Sequence, residues 1–148
     1  KRQVVVVREA AQEAGRNPDD VEITARLFVS VDPPSEAVET GIRRHINTYL
    51  NVPVYKSFHE WLGRTELLGP MWDAWAGGDR KAAVAAVPQA AMQDLIIQGS
   101  PAEMKAHVQR YLDNGVDTAF LQMQSFEPDP AKKRDNILNA VRNLAPGK

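Results

Sequence analysis

The sequence predicts an α/β fold with mainly parallel strands, of the barrel-like or doubly wound kind, and three observations carry that prediction. Gly99–Met123 encodes a capped helix feeding a short apolar strand, the α-to-β step from which such folds are built. Residues 21–31 carry apolar side chains at every second position and, Phe28 apart, polar ones between them, as a half-buried strand does. Between these segments, residues 35–88 show helical spacing with no convincing strand, a helical excursion between strands.

The elements follow in chain order. Gln3–Ala14 reads as a helix ended by Gly15, although the run Val4–Val7 weakens it because β-branched side chains lose rotamer freedom on a helix. Pro18-Asp19-Asp20 then turns the chain. In the strand of residues 21–31, Val21, Ile23, Ala25, Leu27, Val29 and Val31 share one face, and Glu22, Thr24, Arg26, Phe28 and Ser30 the other. In a barrel the apolar face meets the outer helices, Thr24, Arg26, Phe28 and Ser30 face the lumen, and Asp32 lies at the C-terminal rim where barrel enzymes keep their chemistry. Ser35 precedes a helix with Val38, Ile42, Ile46 and Leu50 on one side, broken by Pro53. A short aromatic helix runs through Tyr55, Phe58 and Trp61 to Gly63, and a further stripe, Leu67, Leu68, Met71, Trp72 and Trp75, reaches Gly77-Gly78. Asp79 caps the next short helix, which Pro88 ends. Leu95–Ile97 is expected to add a short strand between the two longer ones. Ser100, Pro101 and Glu103 then form a helix start with a capping box, and Gly115 suits the left-handed C-terminal cap before Ala119, Phe120 and Leu121.

The chain has 148 residues, 43% of them hydrophobic and 25% charged, with a formal net charge of -1, so composition places it among ordinary globular domains and gives no electrostatic sign of nucleic acid. One domain spanning residues 1–148 is expected, with the excursion over residues 35–88. No stretch approaches the roughly 18 apolar residues of a membrane span, so no membrane partner is expected. Without cysteine there are no disulfides, thiolate metal sites or thiol catalysis, no metal site is expected, and a cytoplasmic setting is the default.

Candidate site residues fall into three groups. Tyr49, Tyr55, Phe58, His59, Trp61, Trp72 and Trp75 form the strongest pocket candidate, since aromatic walls with a few polar tips suit a planar cofactor or an apolar substrate; the competing reading is core packing between short helices. Within that group His59 is the one general acid or base. His45 and His107 have charged neighbours and are expected to face solvent. Arg26 reads either as a surface or ion-paired arginine or, inside a barrel, as a fork for phosphate or carboxylate. Gly99 and Ser100 can bind an anion at a helix N-terminus, and capping explains Ser100 equally well.

The segments "REAAQEAGRNPDDVEITARLFVSVD", "YLNVPVYKSFHEWLG" and "GSPAEMKAHVQRYLDNGVD" together resemble the luciferase-like family of flavin- or deazaflavin-dependent oxidoreductases, across most of the chain. The resemblance implies the C-terminal half of a (β/α)8 barrel, because a complete barrel takes about 250 residues. Lys1 in place of an initiating methionine is consistent with a truncated or processed product. The activity implied is redox chemistry with reduced flavin (FMN) or the deazaflavin F420 on a small organic substrate; Arg26, Gly99 and Ser100, read above from the residues themselves, are the candidate cofactor contacts. A site incomplete in this chain alone is expected, because the half of the family's barrel that supplies much of the ring pocket has no counterpart here. The alternative is a non-catalytic half-barrel or interaction protein. Open strand edges in a half-barrel favour a homo-oligomer.

Overall fold

The computed structural model describes residues 2–145. Among them the chain forms eight α-helices, one 3₁₀ turn and three parallel strands: α1 (Arg2–Glu13), the 3₁₀ turn Pro18–Asp20, β1 (Thr24–Ser30), α2 (Glu36–Leu50), α3 (Pro53–Trp61), α4 (Thr65–Ala76), α5 (Arg80–Ala85), α6 (Gln89–Leu95), β2 (Ile96–Ile97), α7 (Pro101–Leu112), β3 (Thr118–Gln124) and α8 (Pro130–Leu144). Parallel strands joined through helices make this the partial TIM-type α/β fold that the sequence predicts. The valine run does not prevent α1.

The strand order is β2-β1-β3, which corrects one expectation: β2 lies at an edge and not between the long strands. Length decides the order. β1 and β3 match residue for residue from Thr24↔Thr118 to Ser30↔Gln124, whereas β2 is two residues long and pairs only Phe28↔Ile96 and Val29↔Ile97. The full-length pairing therefore takes one whole edge of β1.

Side-chain alternation separates two apolar layers. Leu27, Val29, Ile97 and Met104 form one, with Val108, Tyr111, Leu121 and Leu144 against it, so α7 and α8 cover the face that the sequence assigns to outer helices. On the opposite face Phe28 and Ile96 meet Ile42, Leu68, Met71 and Trp72 from the excursion and Met92 from α6. A helical excursion of this kind can cover a substrate pocket; here its helices α2 and α4, together with α6 beyond it, supply the core of what a barrel would leave as lumen. The reason lies in α2 itself: Val38, Ile42, Ile46 and Leu50 are all buried, and an apolar stripe of that width must be covered. Trp72 fixes α4 to the end of α2, its indole Nε1–H donating to the Leu50 carbonyl at 2.8 Å in a buried position.

Gly41 shows how tightly α2 meets the loop after β3. A Cβ at this helical position would sit 2.7–2.8 Å from Phe126, including the Phe126 Cβ, which cannot swing aside as the end of a flexible side chain can. Gly41→Ala should improve helix propensity by about 1 kcal/mol yet lose about 1–3 kcal/mol to overpacking, for net destabilisation in urea unfolding. A stabilised variant would contradict this contact.

Helix starts follow local chemistry. The Asp129 carboxylate accepts from the N–H groups of Ala131 and Lys132 at 2.8 and 3.2 Å, and Asp79 accepts from Ala82 N–H at 2.8 Å. At α7 the full capping box forms.

Candidate functional site

At the C-terminal ends of β1 and β3 the chain ties itself together through Asp32. This buried carboxylate accepts from the Ser125 hydroxyl and the Phe126 N–H just beyond β3, and from Asn136 Nδ2 of α8 at 2.9 Å. Asp32 does stand at the rim, and its oxygens are committed to three donors of the fold. It holds the β1 and β3 ends and α8 in register there.

Beside this clamp the faces of β1 and β3 turned toward α2 carry unpaired polarity. Ser30 Oγ and Gln124 Oε1, on register-paired residues, and His45 Nε2 are all buried without a hydrogen-bond partner. The His45 ring packs against Phe28 at 5.2 Å, Tyr49 at 4.8 Å and Phe126 at 6.1 Å between centroids. A cavity of about 800 Å³, lined in part by Thr40, Gly41, Arg44, His45 and Phe126, opens beside it. His45 is therefore not the solvent-facing residue that its charged neighbours imply. The missed signal is its helical spacing: His45 follows Ile42 by three and precedes Tyr49 by four, at the edge of the apolar stripe.

Burial pushes the His45 imidazole below its ordinary value of 6.5, so the folded protein holds the neutral ring. Because the unfolded chain takes up this proton first, the folded state loses stability as pH falls below about 6.5, until the folded ring also protonates. His45→Phe should flatten that acid-side slope in urea unfolding measured between neutral and mildly acidic pH. An unchanged slope would show that His45 does not contribute to it.

A second and larger concavity, about 1100 Å³, runs along the part of β1 that β2 leaves uncovered. Arg26, Phe28, Phe58, Arg64, Asp94 and Arg110 are among its lining residues. Arg26 is exposed with its guanidinium 5.0 Å from the Phe28 ring centroid. Arg64 bridges His59 Nδ1 (3.3 Å) and Asp94 Oδ2 (3.2 Å). A guanidinium only donates, so Nδ1 of His59 is the acceptor and its ring proton sits on Nε2. Burial first, and then the Arg64 charge, lower the His59 pKa. Across the groove His107 stacks on Tyr111 at 5.9 Å and is half-buried, which again differs from the solvent-facing expectation. Burial and then the Arg110 charge lower the His107 pKa, while burial and then the Asp94 charge raise that of the Tyr111 phenol.

The aromatic set expected as one pocket is divided. Tyr49 packs with Phe28 and His45 and reaches Tyr55 at 5.7 Å. Phe58 and Trp61 stack on each other at the surface, Trp72 is core, and Trp75 lies under the Arg80 guanidinium at 3.7 Å. Helical spacing places Tyr55, Phe58 and Trp61 on the outer side of α3, and only Phe58 among them lines the large groove.

At Gly99-Ser100 the capping reading accounts for the geometry. The Ser100 N–H and hydroxyl both donate to Glu103 Oε2 at 2.7 Å, and these bonds hold the Glu103 carboxyl below its usual range. An ionised carboxylate thus occupies the N-terminus of α7, and its charge opposes a second anion. Gly99, at φ +122°, lets the chain pass close to it: an added Cβ would stand 2.8 Å from Glu103 Oε2.

Among the described residues no group of three or more histidine or acidic side chains is arranged to hold a metal, and no helix is long and apolar enough to cross a membrane. The luciferase-like monooxygenase family matches residues 1–118, four-fifths of the chain, and the chain belongs to that family of oxidoreductases. No curated protein matches it.

Proposed function

We propose that this chain carries part of the site of a luciferase-like oxidoreductase that uses reduced FMN or F420 on a small organic substrate in the cytoplasm. The observation that carries the proposal is the family match over residues 1–118, which includes β1, the excursion and α7. The groove along β1 fits such a cofactor in kind: Arg26, Arg64 and Arg110 outnumber the single Asp94, and Phe28 and Phe58 add aromatic surface. When bound, the reduced ring supplies the hydride or activates oxygen. In this reading Arg26 meets an anionic group of the cofactor, Phe28 and Phe58 contact flat apolar parts, and His59, its pKa lowered by burial and then by Arg64, lies beside them. Tyr49, Tyr55 and Trp61 remain substrate-pocket candidates. Gly99 and Ser100 are the weaker contacts because Glu103 already holds Ser100.

Weak, saturable binding is expected, since an open groove with an exposed Arg26 neither encloses a ring nor excludes water well. Fluorescence titration with FMN and with F420 tests this. Arg26→Ala should weaken binding roughly tenfold or more, the size of one charge-assisted hydrogen bond of about 1.5–3 kcal/mol. The exposure of Arg26 also favours the second reading, a non-catalytic half-barrel or interaction protein. That reading gains if neither cofactor binds saturably.

A further inference from the structure

We propose that His59 is a positioning residue that holds Arg64 as an oxyanion-binding group of the groove along β1. This rests on the reading of that groove as the seat of an anionic ligand, and adds to it a second arginine besides Arg26 and the side chain that aims it. The group bound is a phosphate or a carboxylate, which a guanidinium fork takes alike.

The local sequence brings the two residues together. α3 closes through a left-handed glycine: Gly63, at φ +77°, donates its N–H to the Glu60 carbonyl at 2.9 Å, and Arg64 N–H donates to the His59 carbonyl at 3.0 Å. In a helix ending of this kind the residue after the glycine meets the side chain third from the helix end, commonly through an apolar contact. Here both members of that contact are polar. His59, only 6% exposed, accepts at Nδ1 from Arg64 Nη1 at 3.3 Å, so one residue holds Arg64 at its backbone and at its tip.

This hold differs from an ordinary ion pair in what it does to the charge. Asp94 Oδ2 accepts from Arg64 Nη2 at 3.2 Å and cancels part of it, whereas a neutral imidazole fixes the guanidinium and cancels none. Burial, and then Arg64 itself, lower the His59 pKa, so the ring keeps its acceptor at neutral pH. The Arg64 side chain lines the groove and is 28% exposed, with N–H groups left over for a ligand. Arg26 and Arg110 line the same groove and keep it net positive beside Asp94. An arginine frozen before the ligand arrives does not lose that freedom on binding, which raises affinity.

Titration of the 148-residue chain with inorganic pyrophosphate and with succinate, followed by amide NMR shifts at neutral pH and low salt, tests the proposal. At least one probe is expected to saturate, and which one does so tells a phosphate from a carboxylate. Arg64→Ala should weaken that binding roughly tenfold, the size of a lost charge-assisted bond. His59→Leu supplies the apolar contact common at such a helix ending, so it should fold with an unchanged near-ultraviolet circular dichroism spectrum. It should nonetheless weaken binding roughly three- to tenfold, the cost of freezing one long side chain. His59→Asn, whose amide oxygen can stand in for Nδ1, should recover the wild-type affinity. Arg44→Ala removes the same charge beside the other cavity and should change nothing. The proposal is overturned if neither anion saturates, if Arg64→Ala or His59→Leu binds as the wild type does, if His59→Asn stays as weak as His59→Leu, or if Arg44→Ala costs as much as Arg64→Ala. Neither probe carries a ring, so a failure of FMN and F420 to bind would count against the cofactor reading and leave this result standing.

Discussion

Asp32→Ala is expected to cost about 2–4 kcal/mol of stability, because it removes the acceptor shared by three donors that hold the strand ends together. The donors differ in what they can do next. The Ser125 hydroxyl can rotate, and half-buried Asn136 can reach water, but the Phe126 N–H is fixed by the backbone and an orphaned buried donor costs about 1–3 kcal/mol. Asp32→Asn keeps one acceptor oxygen and presents an amide to the remaining donors, so it should fall between wild type and alanine. Urea unfolding with a shared slope measures both. A cost below about 0.5 kcal/mol for the alanine variant would show that Asp32 is not the clamp.

Ile42→Ala should cost about 2–5 kcal/mol, the range for truncating a large buried aliphatic side chain. Ile42 is fully buried among Val38, Leu68, Met71 and Met92, where α2 meets the rest of the excursion and the sheet. The test discriminates between two roles for the excursion. As core, it should make the single global unfolding transition move; as a detachable cover, it should leave that transition in place and unfold earlier on its own. A second, earlier transition in far-ultraviolet circular dichroism would favour the cover.

Where local chemistry decides the structure, the sequence was informative. Ser100, Pro101 and Glu103 start α7 as a capping box requires, and the alternation of residues 21–31 places Leu27 and Val29 under the outer helices. Nonlocal packing was less legible. Nothing in Leu95–Ile97 says on which side of β1 two residues will pair, because the competing full-length strand lies more than twenty residues later. The charged neighbours of His45 mislead because sequence neighbours on a helix point in different directions: Arg44 is exposed while His45 turns toward Phe28. The aromatic set from Tyr49 to Trp75 shares a composition but spans three helices, so its residues were free to scatter. The rim was legible only in part: Asp32 was placed at the strand end, whereas its partners Ser125 and Asn136 lie about a hundred residues away in sequence.

A parallel β1–β3 pair frames this partial luciferase-like barrel, and engineered disulfides in a chain with no native cysteine can report its direction. Neighbouring strands lie about 4.8 Å apart, within the Cα separation of roughly 4.4–6.8 Å that a disulfide spans. Thr24→Cys with Thr118→Cys, and Ser30→Cys with Gln124→Cys, join register partners at the two ends of the pair. Both double variants are expected to oxidise within one chain to non-reducing monomers of altered mobility, while Thr24→Cys with Gln124→Cys, at opposite ends, should not. Cross-linking of that last pair with failure of the first two would mean antiparallel strands and would contradict the fold.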